Sequence, residues 1–89
     1  MKQFRYETSS EVCSSEILLT LSDDCKSIID VKFKGGCAGS LTGIARLAAS
    51  RNVDEVIALL EGVPCGAKCT SCPDQLAVML KKIRAAKMV

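Results

Sequence analysis

The apolar residues of this chain change their spacing at Gly35-Gly36, and that change limits the fold more than any other feature. Before it, Ile29, Val31 and Phe33 alternate with Asp30 and Lys32, the period of a strand with one buried face. After it, Leu41, Ile44, Ala45 and Ala48 recur at the spacing of a helix with one apolar stripe. Residues 16–21, EILLTL, are a second strand-like run, and the polar SDDCKS between the two reads as a turn, which makes an antiparallel hairpin. Residues 3–8, QFRYET, are a further strand candidate. A first helix is expected over about 41–50, with Ser40 as its N-cap. A second starts after Asn52, where Asn52 and Glu55 have capping-box spacing; it buries Val53, Val56, Ile57 and Leu60, and Gly62 suits the position past its end. A third begins near Cys72, with Pro73 in its first turn, Ser71 and Asp74 as capping residues, and Leu76, Met79, Leu80 and Ile83 on its inner face. Strands first and helices after give an α+β class: a small antiparallel sheet of two or three strands, with three helices packed on one face. The 89 residues are expected to form one domain, 1–89.

A chain of this length buries only a modest core, so a clip of some kind would matter to it. The aromatic residues are Phe4, Tyr6 and Phe33, too few for a base-stacking surface, and a net charge of +2 does not point to a polyanion. The basic residues Lys81, Lys82, Arg84 and Lys87 read as a solvated helix face, so no nucleic-acid partner is expected. The first residues, MKQFRYETSSEVCSS, have no apolar run of signal-peptide type, and no segment approaches the ~18 apolar residues of a membrane span. The expected location is cytoplasmic, with no membrane partner. In a reducing compartment six cysteines point to metal or redox chemistry rather than structural disulfides.

Those cysteines include three in one short run, Cys65-Gly-Ala-Lys-Cys69-Thr-Ser-Cys72, in a chain with no histidine. The expected topology groups them. Cys13 precedes the first hairpin strand and Cys37 follows the second, so the two are neighbours at one end of the hairpin. Cys25 lies in the turn, roughly 20 Å away along the strands, and falls outside any shared site. One helix leaves the Cys37 end and a second runs back, each about 15 Å or less, and delivers the Cys65–Cys72 run near the same pole. Cys13, Cys37, Cys65, Cys69 and Cys72 can therefore gather, and a tetrahedral site needs four thiolates, a set that suits zinc or an iron–sulfur cluster. Structural zinc contributes on the order of 10–16 kcal/mol of apparent binding energy in small peptides, a large term for a small core. The competing reading is redox: Cys69-Thr-Ser-Cys72 has the two-residue spacer of a dithiol pair at a helix N-terminus, with Lys68 nearby, though without the βαβ context of thioredoxin-like motifs. The third is plain packing, since free cysteine is often a small buried apolar residue. That reading, or simple turn exposure, is the one taken for Cys25.

Thr70-Ser71-Cys72-Pro73-Asp74 spells the signature of the TSCPD domain family, and VCSSEILLTL (12–21), VKFKGGCAGSLTGIARL (31–47), DEVIALLEGVPCG (54–66) and TSCPDQLA (70–77) are similar to successive blocks of its small standalone members. The resemblance covers most of the chain. It implies Cys13, Cys37, Cys65 and Cys72 as the family-typical cysteine positions, with Cys69 an addition, which the residues alone leave open between plain packing and a role as alternative ligand or resolving thiol. Ala38-Gly39-Ser40 departs from the Asn-Gly-Asn of many relatives. The domain also occurs at the C-terminus of cobalamin-dependent ribonucleotide reductases, which implies a ribonucleotide reductase, or another redox protein, as partner in deoxynucleotide synthesis. The chain lacks the barrel, catalytic thiols, nucleotide sites and cobalamin site of a reductase, so an accessory rather than catalytic domain is expected. The strand-then-helix order, with a cysteine directly after the last strand in Gly35-Gly36-Cys37, also resembles U-type iron–sulfur scaffolds, and cluster assembly is the further alternative.

Overall fold

In a computed structural model of the chain, residues 1–8, 14–35, 38–63 and 71–87 are described. Strands β1 (Lys2–Glu7), β2 (Ser14–Leu21) and β3 (Ile28–Gly35) come first, followed by helices α1 (Ala38–Ala48), α2 (Val53–Leu60) and α3 (Cys72–Lys87). The sheet is an antiparallel meander in the order β1-β2-β3, so the α+β expectation holds with three strands rather than two.

Alternation along β2 separates the two faces of the sheet. Ile17, Leu19 and Leu21 are buried against the helices, whereas Leu18 is 40% exposed on the outer face. Glu16 points to that outer face yet is only 6% exposed, because the Arg5 guanidinium bonds to it and the Lys34 ammonium lies 3.9 Å away on the other neighbouring strand. On the inner face, Ile17, Leu19, Leu21, Ile28 and Val31 join Val53, Val56, Ile57, Leu76, Met79 and Leu80 in one core. Of the buried set expected from β3, Val31 and Phe33 turn inward, but Ile29 is 44% exposed and Ile28 takes its place. The cause is a bulge: Thr20 pairs with Asp30 and Leu21 with Ile28, so Ile29 has no partner and the alternation shifts by one.

The helices differ from expectation mainly at their ends. α1 starts at Ala38, ahead of the Ser40 cap expected, because a first turn with no apolar stripe leaves no periodic mark. It ends when Ser50 adopts a left-handed backbone, φ 68°, and turns its N–H to the Ile28 carbonyl at 2.7 Å. The Ile28 N–H answers to the Arg51 carbonyl at 2.9 Å, and the Val53 N–H reaches the Lys26 carbonyl at 2.8 Å. The α1–α2 connection is thus stitched to the start of β3. Asn52 caps α2 as expected, its side-chain oxygen accepting from the Asp54 N–H at 2.8 Å. Glu55 does not complete a box; its carboxylate takes the Arg51 guanidinium at 2.9 Å instead. Gly62 lies past the end of α2 with φ +80°, the left-handed conformation that glycine adopts without strain.

α2 and α3 run antiparallel. Arg84 pairs with Asp54 near one end of α2, and Gly62 bonds to Asp74 at the other. Lys81 and Lys82 of α3 also have partners within the chain: Lys81 binds Glu61 at 2.6 Å, and Lys82 sits 5.0 Å over the Tyr6 ring.

Candidate functional site

The hairpin has two ends with different chemistry. At one, Ser14 pairs with Gly35; at the other, Leu21 pairs with Ile28 and the chain turns through Ser22–Cys25. The turn closes with the Cys25 N–H donating to the Ser22 carbonyl at 2.8 Å, Cys25 in the left-handed region at φ 59° and packed against the core. Cys25 therefore sits where the sequence puts it, about 20 Å along the strands from the Ser14–Gly35 end.

The helices relate the remaining cysteine-bearing segments to those ends. α1 begins just beyond Gly35 and ends beside Ile28. α2 begins beside the hairpin turn, where Asn52 bridges to Ser27, and extends about 12 Å from it. The connection to α3 starts at that far end.

Here two side chains of the next helix tie off the connection. The Ser71 hydroxyl donates to the Val63 carbonyl at 2.5 Å and accepts from the Asp74 N–H at 3.2 Å. An Asp74 carboxylate oxygen accepts from the Gly62 N–H at 2.7 Å. The first intrahelical bond of α3 follows, Gln75 N–H to the Ser71 carbonyl at 2.8 Å. Ser71 is thus the N-cap of α3 and Asp74 its third residue, the spacing of a capping box, but the aspartate reaches across to α2 rather than back to Ser71. Pro73 is the second helical residue, where the N–H it lacks has no carbonyl acceptor in the helix.

Cys72 is the first residue of α3 and half-buried, at the helix end that favours anionic groups. The other expected site residues, Cys13, Cys37 and Cys65, with Cys69 as the alternative, lie outside the described residues. Their described neighbours are Ser14, Gly35, Ala38, Val63 and Ser71. Among the described residues no group of three or more histidine, cysteine, aspartate or glutamate side chains could hold a metal ion. The donor chemistry available to the chain is nonetheless thiol without imidazole, which fits zinc or an iron–sulfur cluster. Among the described residues no helix is long and apolar enough to cross a membrane.

Sequence reasoning identified Ser71 and Asp74 as caps and Gly62 as a helix-stop residue. It missed that they bond to one another. The Ser-x-x-Asp spacing signals a cap, but nothing in either segment announces a partner on the other helix.

An antiparallel meander followed by three helices, with α2 and α3 fastened to each other through Val63–Ser71 and Gly62–Asp74, defines a small α+β domain. The model of the TSCPD domain family matches residues 1–84, and the chain belongs to that family. Four of the five signature residues, Ser71 to Asp74, are the N-cap and first turn of α3 just described. No curated protein matches the chain, and no solved structure does. The likeness to U-type scaffolds therefore rests on the order of elements alone.

Proposed function

We propose that this TSCPD domain is an accessory module whose Cys13, Cys37, Cys65 and Cys72 thiolates bind zinc or an iron–sulfur cluster. The observation that carries the reading is the fastening of the residues that flank the Cys65-to-Cys69 run: Val63 is bonded to Ser71 and Gly62 to Asp74, so the two flanks meet at one point of the fold. Further support comes from the pairing of Ser14 with Gly35, which sets the segments leading to Cys13 and Cys37 side by side. When bound, the metal would cross-link strand ends to a helix start, a link of the kind a core this small can use. The partner we assign is a ribonucleotide reductase, because the same domain occurs at the C-terminus of cobalamin-dependent members of that enzyme class.

Anaerobic purification with elemental analysis tests this. The expected result is one zinc, or iron with sulfide, per chain, lost on Cys13→Ser, Cys37→Ser, Cys65→Ser or Cys72→Ser and retained on Cys25→Ser. A metal-free protein whose melting ignores a chelator overturns it.

A second reading has its own observation, the placement of Cys72 in the first turn of α3 three residues after Cys69. As a dithiol pair these cysteines would re-reduce a partner disulfide: one thiolate attacks it, the second resolves the mixed disulfide, and the pair is left oxidised. This reading predicts a Cys69–Cys72 disulfide after reaction with an oxidised partner, detected by mass spectrometry, and fails if none forms.

A further inference from the structure

We infer that Ser71 and Asp74 are positioning residues for the Cys72 thiol, beyond any role in starting α3. A cap needs only the bond inside its own helix, here from the Asp74 N–H to the Ser71 hydroxyl. The other two bonds leave the helix. Ser71 reaches Val63, eight residues back, and Asp74 reaches Gly62, twelve residues back. Both residues are buried, at 5% and 9% exposure, so little water is at hand to replace either bond.

Cys72 lies between these two anchors in sequence, followed by Pro73, whose ring fixes its own φ. Anchoring residues 71 and 74 to the end of α2 fixes the rotation of the first turn of α3. That rotation sets the direction of the Cys72 Cα–Cβ bond. Removing an anchor leaves α3 held by Leu76, Met79 and Leu80 in the core but frees its first turn to fray. The thiol then samples more directions and becomes easier to reach. The relevance of this to a bound metal rests on the thiolate reading above; the positioning itself does not.

Alkylation of the reduced, metal-free full chain, read peptide by peptide in a mass spectrometer, tests the inference with Cys25 as internal reference. Loss of one such bond corresponds to a change of about five-fold. The Cys72-to-Cys25 rate ratio should rise by that factor in Ser71→Ala and Asp74→Ala. It should stay near wild type in Ser71→Thr, which keeps the hydroxyl, and in Asp74→Asn, which keeps an acceptor oxygen. An unchanged ratio in the alanine variants overturns the inference, as does a rise at Cys25 in step with Cys72, which is general loosening. Equal effects of alanine and conservative variants overturn its hydrogen-bond basis. In a parallel arm, zinc-loaded Ser71→Ala should release zinc to a chelator faster than wild type. A wild type that holds no zinc sinks the metal reading and leaves the labelling ratio to decide on positioning.

Discussion

The Asp74 carboxylate accepts the Gly62 N–H at 2.7 Å and so joins the first turn of α3 to the residue that ends α2. The bond depends on Gly62 standing in the left-handed region at φ +80°. A methyl group added there would meet no atom within 4 Å, so space is no obstacle and backbone strain is. Gly62→Ala is expected to cost about 1–2 kcal/mol, seen as a lower denaturant midpoint with unchanged slope. An unaltered midpoint would contradict this account.

Ser50 poses the opposite case. It ends α1 in the same left-handed region, φ 68°, with a side chain that disfavours it. Ser50→Gly keeps the N–H that bonds to Ile28 and removes the strain. The expected gain is about 0.5–1 kcal/mol, a rise of a few degrees in melting temperature. A fall in melting temperature would show that flexibility gained by the unfolded chain outweighs the relief.

Core truncation should separate the two sides of the helices. Leu80 is fully buried among strand and helix residues, and Leu80→Ala is expected to cost about 2–5 kcal/mol. For a domain of marginal stability that removes much of the cooperative thermal transition. Leu47, on α1, is exposed, and Leu47→Ala should fall within about 0.5 kcal/mol of wild type. Similar losses for both would mean that the inner face is misassigned.

The hairpin turn carries a pH dependence of known sign. Asp24 accepts from the Ser22 hydroxyl at 2.6 Å and the Lys26 N–H at 3.0 Å, and these bonds, the Ser22 one foremost, hold its carboxyl below the ordinary range. A depressed folded pKa means that this stabilisation is fully present above the unfolded value, ~3.9, and is lost as pH falls through the folded one. Asp24→Asn, which cannot ionise, should therefore show a shallower fall in melting temperature than wild type from pH 5 to pH 3. Identical slopes would remove Asp24 from the acid response.

The parts of this fold that are legible in the sequence are those governed by local rules. The period change at Gly35-Gly36, the Asn52 cap, the Gly62 stop and the Cys25 turn all depend on a residue and its near neighbours. Ile29 escapes because a bulge is a mismatch between strands, invisible along either one. Glu55 escapes because Arg51 is as near on the helix surface as the cap, and charge favours the arginine. Of the candidate site, Ser71, Cys72 and Asp74 could be placed at the start of α3, and the structure puts them there. Their bonds to Val63 and Gly62 could not, since such partners are fixed only once α2 and α3 lie antiparallel.

That fastening of Val63 to Ser71 has an evolutionary consequence. A stretch of chain whose two stems are bolted to each other can lengthen, shorten or change its chemistry without moving the helices that carry it. Doubling such a stretch adds only about 0.6 kcal/mol of closure entropy. The Val63–Ser71 bond thus leaves the pairing of α2 with α3 less dependent on the length of the segment that joins them.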